Sequence, residues 1–168
     1  LAFTIGTLNP YQAATAGALA VLNHVHDPLI RRDLATGRLS PGLLSQGTRQ
    51  VGESTYLLEI SENARFHDGT PVEAEDVVAS VQAMLDDKID KTELLTGALG
   101  FLCDVRLVST RQAHITTNGP VPLLDERMTL IRVLPASVLA AKNSQDNEFI
   151  GTGPFRVVQA DSRDGVVL

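Results

Sequence analysis

Residues 65–80 constrain this chain more than any other stretch, because they fix a strand, a turn and a helix in a set order. Asp68-Gly69 is a turn signal: Gly accepts positive φ, and Asp bonds its own backbone. Pro71 fixes its own φ and pushes Thr70 into an extended conformation. Glu73, Glu75 and Asp76 then crowd the first turn of a helix, where negative charge meets the positive end of the dipole. Val77, Val78, Val81, Met84 and Leu85 follow at helical spacing and give that helix one apolar face. Glu73 stands at the expected N-cap, a weaker cap than Thr, and Asp76 is placed to bond back to it in capping-box fashion.

The length of 168 residues suits one domain, or one and a piece of another, and is enough to own a core. With 43% hydrophobic and 20% charged residues the chain reads as an ordinary soluble globular protein. Aromatics are 4% and Trp is absent, so the core must come from Leu, Val, Ile and Ala. A formal net charge of −6 argues against nucleic acid as a partner, which requires a basic surface. The single cysteine, Cys103, excludes an intramolecular disulfide and a Cys-based zinc site. Lying in the apolar run Phe101-Leu102-Cys103, it reads as a small buried hydrophobe. No apolar run approaches the ~20 residues of a membrane span. The chain starts at Leu1, without Met, and reads as a processed or trimmed piece.

Along the chain, residues 1–6 read as a short strand ended by Leu8-Asn9-Pro10, and residues 12–26 as a helix. His24 and His26 lie two apart, pointing to different faces of that helix, so solvated or capping histidines are expected rather than a joint metal site. Residues 31–39 read as a loop or hairpin tip. Strands are expected over 47–51 and 55–60 around a Gly52-Glu53-Ser54 turn, then a short helix over 92–99 with Thr92 as N-cap. Two strands follow, 102–109 and 112–117, with Val105, Leu107 and Cys103 facing one side. A helix over 123–128, a strand over 130–134 and a helix opened by Pro135 come next. Gly151-Thr152-Gly153-Pro154 reads as a Gly-rich turn entering a strand at Phe155, with a last strand from Gly165. It is not a phosphate loop, since no Gly-Lys-Ser/Thr and no helix start follow.

Two of these motifs carry a resemblance. Arg65-Phe66-His67-Asp68-Gly69-Thr70-Pro71-Val72 through Asp76-Val77 resembles the signature segment of the extracellular solute-binding proteins of ABC importers, family 5, with Glu73 where Thr is usual. Ile150-Gly151-Thr152-Gly153-Pro154-Phe155 resembles a second family segment almost intact. Softer matches are Thr7-Leu8-Asn9-Pro10, His26-Asp27-Pro28-Leu29-Ile30 (His26 replacing an aromatic) and Pro135-Ala136-Ser137 (Ala136 replacing Lys). In the 102–117 hairpin the usual turn Asp is missing.

The resemblance implies a mixed α+β fold and the N-terminal portion of a two-lobe binding protein that closes on its ligand by a hinge. Residues 1–46 would start the first lobe, 47–145 would form an inserted small α+β subdomain, and 146–168 would return to the first lobe's sheet, with the second lobe absent. The implied job is capture of a small solute, peptides foremost, outside the membrane and its delivery to an ABC permease. No enzyme activity, cofactor or metal is implied. Peptide would bind by strand addition to Thr4, Ile5, Gly6 and Thr7. Phe66, Asp68, Gly69, Pro71, Asp76, Gly151, Gly153 and Pro154 would hold the structure rather than touch ligand. The implied location is extracellular or periplasmic; a lipid anchor would need a segment not in this chain, because Cys103 is wrongly placed for one. A hydrolytic metal site at His67-Asp68 is disfavoured by the lack of any HExxH-like spacing. A ligand-sensing domain of a transcription regulator is one alternative, and it would need a helix-turn-helix segment upstream; a folded fragment that does not bind ligand alone is another.

Overall fold

The computed structural model describes residues 7–86, 91–141, 150–161 and 165–168, so Thr4, Ile5 and Gly6, with the strand expected over 1–6, lie outside the described residues. Asn9 closes the first turn: its side chain accepts from Tyr11 N at 2.9 Å and its carbonyl from the amides of Gln12 and Ala13. That turn consumes the first residues expected in the helix. Helix α1 therefore spans Ala16–Val25, with the Thr15 hydroxyl accepting from Ala18 N at its start. A hairpin follows, β1 (Ile30–Arg32) and β2 (Leu39–Pro41). Its tip is closed by Asp33, whose carboxylate accepts from the amides of Ala35 and Thr36.

Next come β3 (Arg49–Gln50), β4 (Thr55–Glu59), α2 (Ala74–Leu85), α3 (Glu93–Leu99), β5 (Leu102–Ser109) and β6 (Gln112–Thr117). The four strands make one antiparallel sheet in the order β3-β4-β6-β5. The alternation in β6 is regular: Ala113, Ile115 and Thr117 point inward. Helix α2 lies on β5 and β6 through Val77, Val81 and Met84. Short helices α4 (Leu124–Met128) and α5 (Ala136–Ala140) follow, then the ribbon of β7 (Gln159–Asp161) and β8 (Gly165–Val167).

Several expectations are corrected. Cys103 is exposed, not buried, and Leu107 is 52% exposed. The register of β5 shifts between Leu102 and Asp104 and again between Leu107 and Ser109, so only Leu102 and Val105 turn inward. Residues 130–134 form no strand; they carry one isolated bridge, Pro28 to Arg132, although Ile131, Val133 and Leu134 are buried. No strand begins at Phe155, which is 49% exposed with its ring edge against His24. His26, expected as solvated or capping, is the C-cap residue of α1 but is 1% exposed rather than solvated. The main core joins the first part of the described chain to its middle: Tyr11, Leu29, Ile30 and Leu44 pack in one cluster with Leu58, Phe66, Val77 and Ile131.

Candidate functional site

The two sequence motifs meet through one side chain. His67 Nδ1 accepts from Gly151 N at 3.2 Å, and its Nε2 lies 3.0 Å from the Gly153 carbonyl. The first contact requires a bare nitrogen and the second an N–H, so the partners select the neutral Nε2–H tautomer. The backbone adds His67 N to Gly151 O at 2.9 Å, and Arg156 donates to the His67 carbonyl at 2.7 Å. On its other side the Gly-rich turn docks on the end of α1, with Gly153 N to Val25 O at 2.8 Å, Phe155 N to His24 O at 3.2 Å and Asp27 N to the Thr152 hydroxyl at 3.0 Å. A Cβ on Gly151 would lie 2.0 Å from Val25 O, and one on Gly153 would lie 2.4 Å from His24 O, so this approach of backbone to backbone requires glycine at both positions.

The signature segment is held in the same way. Phe66 is buried and its amide bonds Thr70 O; Gly69 takes φ +88; Arg65 bridges Pro71. Asp68 accepts from the Thr70 hydroxyl and amide, which hold its carboxyl below the usual carboxylate range. Asp76 binds two amides, Glu73 N at the start of α2 at 2.9 Å and Ala136 N at the start of α5 at 2.8 Å.

Beside this junction lies an open cleft of about 740 Å³. Its walls are the end of α1 (Asn23, His24, Asp27), the first hairpin (Arg31, Arg32, Leu34), the segment Thr129, Leu130 and Arg132, and the turn Thr152, Gly153 and Pro154. Asp27 is paired with Arg31, and Arg32 with Glu126. Arg132 has no carboxylate partner among the described residues; its guanidinium bonds Asn23 Oδ1 and the Leu130 carbonyl, and its Nε is buried without an acceptor. Burial pushes the Arg132 guanidinium below its usual value. Behind it, burial lowers the His26 imidazole to about 3, and the charge of Arg132 pushes the same way.

Of the residues expected to touch ligand, only Thr7 is described, where its hydroxyl accepts from Asn9 N; it does not line the cleft. Gly153 and Pro154, expected to be structural, do line it. Asn23 and Arg132 were not singled out from the sequence, and the available signal for Arg132 is a lone cation inside the apolar run 130–134. No group of three or more His, Cys, Asp or Glu that could hold a metal ion occurs among the described residues.

Residues 38–168 match the family model of the bacterial extracellular solute-binding proteins, family 5. The chain belongs to that family. Its members are binding proteins rather than enzymes. The chain is 25% identical over 159 residues to the nickel-binding periplasmic protein of Escherichia coli K12, covering 90% of this chain and 29% of that one. Two solved structures share its fold. The binding protein AgaA of A. tumefacien R10, in complex with agropinic acid, has a TM-score of 0.82 at 22% identity, over 93% of this chain and 32% of that one. The oligopeptide-binding protein AppA of Bacillus subtilis, in complex with a nonapeptide, has a TM-score of 0.79 at 17% identity, over 91% of this chain and 32% of that one. The family 5 chain thus spans about a third of the length of the relatives it matches.

Proposed function

We propose that this family 5 chain supplies part of the first lobe of a binding protein that captures a small solute outside the membrane and hands it to an ABC permease. The family match over residues 38–168 carries the reading. The open cleft beside the two motifs, whose wall holds Arg132 in no ion pair among the described residues, is the surface that suits solute contact. Peptides are the solute class we favour, although named relatives bind nickel and agropinic acid as well as a peptide. Residues 1–46 start the lobe, 47–145 form an inserted α+β subdomain and 146–168 return to the lobe. The motif residues Phe66, Asp68, Gly69, Pro71, Asp76 and Gly151 serve the scaffold, a role supported by the bonds and close approaches they make.

A thermal-shift screen of the protein expressed from its complete gene tests this. The arms are a di- and oligopeptide pool, nickel with histidine, and agropinic acid. A ligand at a hundred times its Kd adds about 2.7 kcal/mol to a native state that alone binds it, a readily seen shift. A shift confined to the peptide arm is the expected result. A shift only with nickel or agropinic acid reassigns the solute, and no shift in any arm rejects solute capture for these classes.

A further inference from the structure

Four asparagines are among the described residues, and the fold treats one of them differently. The backbone amide that follows an asparagine can attack the side-chain amide carbon when its nitrogen is unbonded, unhindered and open to water. Asn9 is followed by Pro10, which has no N–H, and its Oδ1 accepts from Tyr11 N. Asn23 lies within α1, where the His24 amide is committed to the helix ladder, and its side chain bonds Arg132. After Asn63, the Ala64 amide donates to Ser61 O at 3.2 Å. The signature turn is protected in the same way: Gly69 N donates to Phe66 O at 2.9 Å, and Thr70 holds the Asp68 carboxylate. Asn118 has no such protection. It is exposed, its side chain has no hydrogen-bond partner among the described residues, and the Gly119 amide finds no acceptor among them. Nothing lies within 4 Å of where a Gly119 Cβ would stand, so the approach to this nitrogen is open.

We propose that Asn118 is a modification site, at which the chain deamidates itself through a cyclic imide. Gly119 N bonds to Asn118 Cγ, the Cγ–Nδ2 bond breaks, and ammonia leaves with the Gly119 amide proton. Water then opens the ring. Opening at Cγ leaves aspartate; opening at the main-chain carbonyl leaves isoaspartate, which routes the chain through the side-chain carbon. The sum is one water in and one ammonia out, with no oxidant, metal or enzyme. The site lies where a longer backbone matters. Asn118 N donates to Phe101 O at 2.9 Å, the Thr117 hydroxyl donates to Gly119 O at 2.6 Å and Val121 N donates to the Tyr56 hydroxyl at 3.1 Å. These bonds pin the chain on both sides of the imide, at the end of β6 and the start of β5. Isoaspartate adds one main-chain carbon between them and loosens that end of the sheet. The chemistry is independent of which solute the cleft takes.

Peptide mapping by mass spectrometry tests this. The protein expressed from its complete gene is held folded at mildly alkaline pH in heavy-oxygen water, with a urea-unfolded sample beside it. In the folded sample Asn118 should convert about tenfold or more faster than Asn23 or Asn63, a barrier difference of ~1.4 kcal/mol. Heavy oxygen should enter the product, and isoaspartate should exceed aspartate. The aged protein should melt below freshly prepared Asn118→Asp, which carries the charge without the longer backbone. The proposal is overturned if Asn118 stays intact in the folded protein while the unfolded sample converts, since the fold then protects it. It is equally overturned if Asn23 or Asn63 keeps pace in the folded sample, or if aspartate forms without isoaspartate, which is direct hydrolysis rather than a ring. No conversion in either sample overturns it too. Aged protein that melts together with Asn118→Asp overturns the loosening of the sheet.

Discussion

At the end of α1, His26 is 1% exposed and neither ring nitrogen has a hydrogen-bond partner among the described residues. Burial holds its folded pKa at about 3, whereas an unfolded histidine titrates near 6.5. Between those values the unfolded chain takes up a proton that the folded chain refuses. Its contribution to stability is therefore complete above pH ~6.5 and is lost as the pH falls toward about 3, at up to ~1.4 kcal/mol per pH unit. Melting temperatures over that interval should fall in the wild type and flatten in His26→Leu, which fills the site with a neutral side chain; an unchanged acid slope in that variant would show that another group titrates. Local spacing offered no sign of this burial; the one hint was that His26 stands where the resembling segment has an aromatic. The burial depends on the turn at Gly151 and Gly153 covering the end of α1, with the Thr152 hydroxyl bonded to Asp27 N from 125 residues away. Local spacing describes which way a side chain leaves its own helix, and a covering segment that distant lies beyond it. Arg132 escaped notice for the same reason: its wall is assembled only when α1 and the segment 129–132 come together.

Among the elements, α2 is the one whose local signals and tertiary role agree best. The expected back-bond from Asp76 to the Glu73 amide forms, and the same carboxylate reaches Ala136 N, so one side chain fixes the start of two helices. Asp76→Ala strands both amides and should cost about 1–3 kcal/mol in denaturant unfolding, while Asp76→Asn, which keeps one acceptor oxygen, should cost less. A loss under ~0.5 kcal/mol for the alanine variant, the size of an ordinary surface substitution, would remove the joint role. The strand β6 alternates cleanly and was legible because one face meets the core, whereas β4, expected to alternate, buries Tyr56, Leu57 and Leu58 in succession. The edge strand β5 was legible as a strand but not in its facing, since two register shifts turn Cys103 and Leu107 to solvent. The run 130–134 was buried as its apolar character requires, yet it lies beside a loop with a single bridge and makes no ladder. Apolar sequence predicted the burial and could not tell a strand from an extended segment.

At the scale of the molecule, the mixed α+β class was implied by the family resemblance, and the structure has it. The cleft was not legible, because its walls come from residues 23–34, 129–132 and 152–154, which no motif joins. The core shows how far the first 46 residues are committed to the rest of the chain. Leu29, Ile30, Leu43 and Leu44 are each at most 2% exposed, and Tyr11 is 3% exposed, within the cluster that holds Leu58, Phe66 and Ile131. Backbone bonds bind the same regions: Leu29 N to Ile131 O at 3.2 Å, Ser45 N to Glu59 O at 2.8 Å and Ser61 N to Leu43 O at 2.9 Å. Removing five such side chains from the core forfeits on the order of 10 kcal/mol of burial, as large as the whole stability of a typical domain, about 5–15 kcal/mol. A polypeptide of residues 47–145 alone should therefore show no cooperative thermal transition and should expose its apolar face to a hydrophobic dye. The same polypeptide mixed with residues 7–46 should regain order if the cluster is what it lacks. A sharp melt from 47–145 by itself would show that the sheet and α2 hold a self-sufficient core, and that the contacts from Tyr11 to Leu44 fasten a second layer onto it.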